Sequence, residues 1–397
     1  MQKSFHELGV PGQIARALAG RDIHEPFPIQ AGVLPPALEG RDVLAKSPTG
    51  SGKTLGFAIP MVTRLQADGR RPAGLVLVPT RELASQVAGE FEAIVPAGGL
   101  RVATVYGGVP LRAQAKRARE AHVLVATPGR LNDLLERNAI ALDGIRILVL
   151  DEADRMLDMG FKPQVDRIVA NLPRKRQTMF FSATLNGEVG ALADAYTTRA
   201  VRCEAGLPPA RGDGAVQHRF VPVNADSKVA TLAELLKGER GLALIFVRTR
   251  RGADRLVRNL ARHDVEAIAL HGDLSQKQRE RALRQFESGR ATALVATDVA
   301  ARGLDLVEIT HVINFDPPSE HTGYLHRVGR TGRAGRSGVG VTLVLPEEQA
   351  DVSRVARVAG HADQFETAGM KLAPARLVYT SRRGRSKWGA PQARRKI

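Results

Sequence analysis

The chain has 397 residues, 43% of them hydrophobic and 25% charged, which suits two or three domains with cores of ordinary size. No run approaches the ~20 apolar residues of a membrane span and no signal-peptide core opens the chain. Cys203 is the only cysteine, which excludes an intramolecular disulfide and fits a reducing cytoplasm, while a net charge of +17 points to a polyanionic partner, nucleic acid before an anionic membrane.

Residues 1–22 read as a lead-in, with Phe5 ahead of a helix carrying Ile14, Ala17 and Leu18. Pro26 and Pro28 keep the next stretch extended, because a residue before proline avoids the helical region. A helix resumes through Val33 and Leu38 and ends at Gly40. The apolar run Val43-Leu44-Ala45 leads into Ser47-Pro48-Thr49-Gly50-Ser51-Gly52-Lys53-Thr54, and a helix follows over 55–65. Strand-like runs at 75–78, 102–105, 123–126, 147–150 and 179–181 then alternate with amphipathic helices. Continuous apolar strands separated by helices predict a parallel sheet covered on both faces.

A Pro- and Gly-rich linker over 206–216 interrupts this pattern. The alternation resumes at 242–247, 265–270, 293–296, 312–313 and 341–345. The second half echoes the first: Leu124-Val125-Ala126-Thr127 recurs as Leu294-Val295-Ala296-Thr297, and Gly272 follows its strand as Gly107 does. Two copies of one α/β domain are expected, 23–205 and 217–362. Only the first has a phosphate loop, so the second should complete a nucleotide site across the interface. Residues 363–397 are read as a basic, disordered tail in which Trp388 stands among Arg382, Arg383, Arg385 and Lys387. Such a segment suits RNA contact by stacking and charge, or serves as a solubilising tail.

Two stretches carry chemistry. In the first, glycines at Gly50 and Gly52 let backbone N–H groups approach an anion at the start of a helix, where the dipole also favours negative charge. Thr49 and Ser51 lie in the same cradle, Lys53 supplies a charge for the β- and γ-phosphates, and Thr54 offers a hydroxyl to Mg²⁺. In the second, the strand ending at Leu150 runs straight into Asp151-Glu152-Ala153-Asp154. Carboxylates at the C-terminal end of such a strand face the phosphate loop. Asp151 can hold Mg²⁺, and Glu152 can orient and deprotonate an attacking water.

Taken with Pro28-Ile29-Gln30, Pro79-Thr80-Arg81-Glu82, Gly107-Gly108, Thr127-Pro128-Gly129-Arg130, Ser182-Ala183-Thr184, Gln276-x-x-Arg279, Thr297-Asp298-x-x-x-Arg302-Gly303-x-Asp305 and His326-Arg327-Val328-Gly329-Arg330-Thr331-Gly332-Arg333, in this order, the chain resembles a DEAD-box ATP-dependent RNA helicase of bacterial type with a short basic tail. The resemblance implies two tandem RecA-like domains, an ATP–Mg²⁺ site and an RNA groove across both. It makes Gln30 the reader of adenine, with Phe5 packed near that motif, and Asp305 a ribose ligand. Arg330 and Arg333 become arginine fingers, and Ser182, Thr184, Asp154 and His326 couple the ATP and RNA sites. RNA would be held by its backbone at Arg81, Gly108, Thr127, Gly129, Arg130, Gly272, Arg279 and Thr297. Departures from the family pattern are Ser47 at the first loop position, Ile23 where an aromatic stacks on adenine, and Pro26-Phe27-Pro28 for Pro-Thr-Pro. Phe5 and Ile23 could alternatively be ordinary core residues. A DNA-dependent motor and an RNA clamp with a vestigial ATPase stay open as alternatives. The resemblance also suggests ribosomal or RNA-degradation partners.

Overall fold

The computed structural model describes residues 3–47, 51–95, 99–206, 216–238, 241–301, 309–332 and 337–374. Thr49, Gly50, Arg302, Gly303, Asp305, Arg333, most of the predicted linker and the basic segment from 375 onward lie outside the described residues.

The first sheet contains β1 (Val43–Lys46), β2 (Gly74–Leu77), β3 (Val102–Val105), β4 (Val123–Ala126), β5 (Ile147–Leu150), β6 (Gln177–Ser182) and β7 (Val201–Glu204). Their order across the sheet is β3-β4-β2-β5-β6-β1-β7. The second contains β8 (Val216–Pro222), β9 (Leu242–Phe246), β10 (Ala267–Leu270), β11 (Ala293–Ala296), β12 (Ile309–Asn314) and β13 (Gly338–Val344), ordered β10-β11-β9-β12-β13-β8. Every pairing in both sheets is parallel. With β7 set aside, the two orders superpose strand for strand, so the internal repeat in the sequence is a repeat of topology.

The alternation of side chains along each strand feeds two cores in the first domain and three in the second. In the first sheet Val76, Val123, Val149, Met179 and Phe181 point to one face, and Leu75, Leu124, Leu148, Leu150 and Phe180 to the other. All ten are buried, and each contributes about 1.5–3 kcal/mol relative to exposure. Helices close both faces, as continuous apolar strands require. Among the described residues no helix is long and apolar enough to cross a membrane.

Three segment boundaries differ from the sequence reading. Phe5, Leu8, Val10, Ile14 and Leu18 are buried in the first domain's core, so the described part of the expected lead-in, 3–22, belongs to that domain. Val216, assigned to the linker, opens β8. The expected tail begins too early: the helix Ala362–Thr367 buries Phe365 completely against Phe220, with ring centroids 5.3 Å apart, and Arg357 and Ser353 hold the backbone of Ala373. The second domain's packing therefore runs past 362, because a buried aromatic outweighs the basic composition of the segment that follows it.

Candidate active site and nucleic-acid interface

The phosphate loop starts where β1 ends. Ser47 continues the ladder by donating its N–H to the Ser182 carbonyl, and Lys53 Nζ donates to the Ser47 carbonyl at 2.7 Å. Gly52 caps the helix Lys53–Arg64 with φ +80, a left-handed conformation that favours glycine. Glycine is required there on a second ground. A Cβ would lie 2.2 Å from the Phe27 ring and 2.8 Å from the Gln30 amide nitrogen. Gln30 is buried and bridges the two segments: its Nε2 donates to the Gly52 carbonyl at 2.7 Å, and its Oε1 accepts from the Phe27 N–H at 2.9 Å. Phe27 stands 44% exposed beside the loop, so the Pro-Phe-Pro departure places an aromatic ring directly against the phosphate cradle. Phe5 is 3% exposed inside the core, which favours the core-packing alternative over contact with a nucleotide. Ile23 packs half-buried on the same core.

Asp151 and Glu152 stand at the end of β5, with Asp151 N–H bonded to the Leu77 carbonyl of the neighbouring strand. Asp151 is 3% exposed, and burial pushes its carboxyl up to about 7 despite the opposing charge of Lys53. Glu152 adopts φ 52, a strained conformation for a residue with a side chain. Burial pushes its carboxyl up as well. Arg155, Arg330 and Lys53 together outweigh that and hold it below the usual carboxylate range. Arg155 donates to Glu152 Oε2 at 2.9 Å, both side chains being almost fully enclosed. Asp154 accepts from the Arg155 N–H and, at 3.2 Å, from the Ala183 N–H, which ties the acidic segment to Ser182-Ala183-Thr184. Ser182 is fully buried, and its Oγ accepts from the Thr184 N–H.

The second domain meets this face through the helix His321–Val328 and the residues just after it. Arg330 is 5% exposed and its charge helps hold Glu152 below the usual carboxylate range, so the expected finger stands within electrostatic range of the carboxylate across the interface. Burial holds His326 below its ordinary value, with Arg155 adding to this and Asp154 opposing it. One cleft is thus lined by Asp154, Arg155 and Thr184 from the first domain and by His326, Arg327 and Arg330 from the second.

The expected RNA residues gather at the C-terminal ends of equivalent strands. Arg81 follows β2, Gly107-Gly108 follow β3 and Thr127 follows β4; Gly272 follows β10 and Thr297 follows β11. Gly108 has φ +87, and a Cβ on it would lie 2.3 Å from the Arg81 guanidinium, so that side chain packs flat under the glycine pair. Arg130 braces the same loop by donating to the Val109 carbonyl at 2.9 Å and to Gln114 Oε1 at 3.0 Å. Gly129 is exposed at the start of the helix Pro128–Glu136.

Arg279 requires a correction. Its guanidinium pairs with Glu82 of the first domain at 2.7 Å and donates to the carbonyls of His271 and Ala300. With 8% exposure and every edge engaged, it clasps the two domains instead of presenting charge to a phosphate. Sequence reasoning also missed Arg155 and Arg327. Arg327 holds both Asp298 oxygens, at 2.6 and 2.7 Å, donates to Asn314 and Asp316, and lies over the Phe246 ring. An arginine three residues after Glu152, and one beside His326, were the available signals.

The DEAD/DEAH box helicase family model matches residues 27–192, and the helicase conserved C-terminal domain matches 227–335. The chain is 42% identical over 361 residues to the ATP-dependent rRNA helicase RRP3 of Eremothecium gossypii, covering 90% of this chain and 74% of that protein. It is 39% identical over 405 residues to DEAD-box ATP-dependent RNA helicase 14 of Arabidopsis thaliana, covering 99% of this chain and 64% of that one. Among solved structures, S. cerevisiae Dbp5 bound to RNA and ADP BeF3 matches with a TM-score of 0.81 at 31% identity, over 90% of this chain and 94% of that one. With two RecA-like domains, and with Lys53, the acidic segment and Arg330 brought within electrostatic range of one another, the chain belongs to the DEAD-box ATP-dependent RNA helicases.

Proposed function

We propose that ATP and RNA occupy two halves of one interdomain cleft and that hydrolysis needs both halves closed. The observation carrying this reading is the cleft shared by Asp154, Arg155 and Thr184 with His326 and Arg330, in which the charge of Arg330 acts on Glu152, since the group activating water and the group stabilising the γ-phosphate come from different domains. Lys53 and the loop 49–54 bind the phosphates, with Gln30 on the base and Asp305 on the ribose. Glu152 accepts a proton from the attacking water, held in place by Arg155. Arg330 and Arg333 neutralise charge on the transferred phosphoryl group; removing such a finger typically costs ~10³–10⁵ in turnover.

The donor set also fits Mg²⁺. Asp151 is a buried carboxylate whose charge Lys53 leaves undercompensated, and Thr54 adds a hard oxygen nearby in sequence. Among the described residues no cluster of three acidic, His or Cys ligands stands ready, which suits an ion that takes its other oxygens from phosphate and water. When bound, the ion neutralises charge on the β- and γ-phosphates.

On the RNA side, Arg81, Gly108, Thr127, Gly129, Arg130, Gly272 and Thr297 meet phosphates and 2′-hydroxyls, so binding is tolerant of sequence. Ser182, Thr184, Asp154 and His326 couple the two halves. Closure bends one strand and a short duplex comes apart; hydrolysis and phosphate release reopen the cleft. We read the protein as a cytoplasmic enzyme of bacterial type acting on ribosomal or RNA-decay ribonucleoproteins; its +17 charge supports the RNA partner in that reading.

The test is the ATPase rate with and without single-stranded RNA, in wild type and Glu152→Gln. Strong RNA stimulation in the wild type, absent in the variant, is expected. A rate indifferent to RNA, or unaltered by Glu152→Gln, would refute the closing mechanism.

A further inference from the structure

The helix Arg250–Ala261 buries Ala253, Leu256 and Leu260 against the second sheet. Its opposite face carries Arg251, Arg255 and Arg258, and Arg262 follows one position past its end. Steps of four, three and four residues put all four on a single line about 16 Å long. All four are exposed, and among the described residues none forms an ion pair or side-chain hydrogen bond. Neighbouring arginines behave differently: Arg250 pairs with Asp273, and Arg248 lies 3.7 Å from Glu348.

Such a stripe destabilises its own helix. Each like-charge neighbour costs roughly 0.2–0.5 kcal/mol, and a cation in the first turn opposes the dipole. The helix's one acidic residue, Asp254, is half-buried and engaged with His271 at 3.0 Å, so it does not neutralise the line. Asp264 and Glu266 are exposed only beyond the far end. Arg258 in the last turn and Arg262 at the C-terminal cap recover part of this through the dipole, but none of the four has an anionic partner among the described residues, and a polyanion would supply one.

Its position supplies the identity of that polyanion. The helix begins just past the C-terminal end of β9, on the sheet edge where Gly272 and Thr297 follow β10 and β11. From that edge the stripe runs back along the outside of the domain. We propose that Arg251, Arg255, Arg258 and Arg262 form a second RNA-binding surface that tracks the phosphate backbone where the RNA leaves the cleft. This rests on the placement of RNA at the strand ends proposed above.

The test uses the full chain with all four arginines changed to Gln, and a second variant with all four changed to Lys. Binding is measured with a non-hydrolysable ATP analogue across a salt series, using a 6-nucleotide strand, a 20-nucleotide strand, and the short strand extended by a duplex. The Gln variant is expected to bind the longer RNAs at least tenfold more weakly near 0.1 M salt. Its log Kd against log salt slope should fall by up to about 3, given ~0.7 per strand phosphate contact. Binding of the 6-nucleotide strand should stay within twofold, and the Lys variant should restore the slope. Whichever extension, strand or duplex, carries the loss names the form of RNA the stripe tracks. Long-RNA binding and slope unchanged in the Gln variant would overturn the proposal, as would equal losses on short and long RNA. Loss of binding to anionic vesicles or polyglutamate with RNA unaffected would equally overturn it. Failure of the cleft reading is distinguishable, because the wild type would then show no RNA-stimulated ATPase at all.

Discussion

The contact between Arg279 and Glu82 allows a direct measurement of closure. Their charged atoms lie 2.7 Å apart, with side chains 9% and 11% exposed, and the two residues belong to different domains. Removing one partner of an enclosed interfacial pair typically costs 2–5 kcal/mol, much of it the cost of leaving the other charge unmatched. Because both side chains keep some contact with water, the lower part of that range applies to Glu82→Gln, about 2–3 kcal/mol or roughly 30- to 150-fold in the closing equilibrium. Arg279→Gln should cost closure a similar amount and additionally lower the second domain's own stability, since it abandons the carbonyls of His271 and Ala300 within that domain. The assay is RNA-stimulated ATPase at limiting single-stranded RNA, in both single variants and the double variant. A coupling energy of about 1.5 kcal/mol or more is expected from the cycle. Were Arg279 instead a phosphate ligand, Glu82→Gln would leave RNA affinity unchanged or raise it and the two effects would add. That result would refute the clasp.

Gly108→Ala would force a Cβ to within 2.3 Å of the Arg81 guanidinium at φ +87, so RNA affinity should fall while RNA-independent ATPase stays close to wild type; fluorescence titration with labelled RNA checks this. Arg155→Met removes the cation bonded to Glu152, whose carboxyl then rises, so the acid limb of the pH–rate profile should move to higher pH as the maximal rate falls. In the second domain His218 accepts from or donates to the Tyr324 hydroxyl at 2.6 Å and stacks on His361 at 3.6 Å. Burial, with His361 adding to it, lowers His218 to about 4. The unfolded chain then binds the proton first as pH falls, so stability should drop progressively from about pH 6.5 to about 4. Melting curves of wild type and His218→Gln should converge at low pH, and parallel curves would count against this role.

What the sequence disclosed follows from what chemistry demands of residue type. A phosphate cradle needs Gly52 and Lys53 in order, and an acidic strand end needs Asp151 and Glu152 together, so both are visible without a fold. Continuous apolar runs gave the central strands for the same reason, because both their faces are covered. Of the four edge strands, β3 and β10 were legible as apolar runs, whereas β7 and β8 escaped notice, because polar and exposed residues interrupt them, as Val201-Arg202-Cys203-Glu204 shows. Partnerships across long separations were equally hidden. Nothing near Arg279 in sequence indicates that its anion is Glu82, and nothing near Phe365 indicates Phe220. Residue type at such positions names a charge or a ring; only the fold names what it meets.

The strand orders explain how two binding events can share one conformational change. In the first sheet β3, β4 and β2 occupy one half and β5, β6 and β1 the other. The residues assigned to RNA follow the first group, and those assigned to ATP follow the second. The halves join between β2 and β5, where Asp151 is bonded to Leu77 of the strand that leads into Arg81 and Glu82. The second sheet repeats the division, with β10, β11 and β9 beside β12. Interdomain interactions sit on both halves: the ion pair of Glu82 with Arg279 on one, the electrostatic pairing of Glu152 with Arg330 and of Asp154 with His326 on the other. Both sets need the same relative placement of two rigid sheets, so a ligand that strengthens one set favours the other. Linkage then makes the effect reciprocal: the factor by which RNA tightens ATP binding must equal the factor by which ATP tightens RNA binding. Glu82→Gln, which touches only the RNA half, should therefore weaken ATP binding in the presence of RNA, although Glu82 lies outside the residues assigned to the nucleotide.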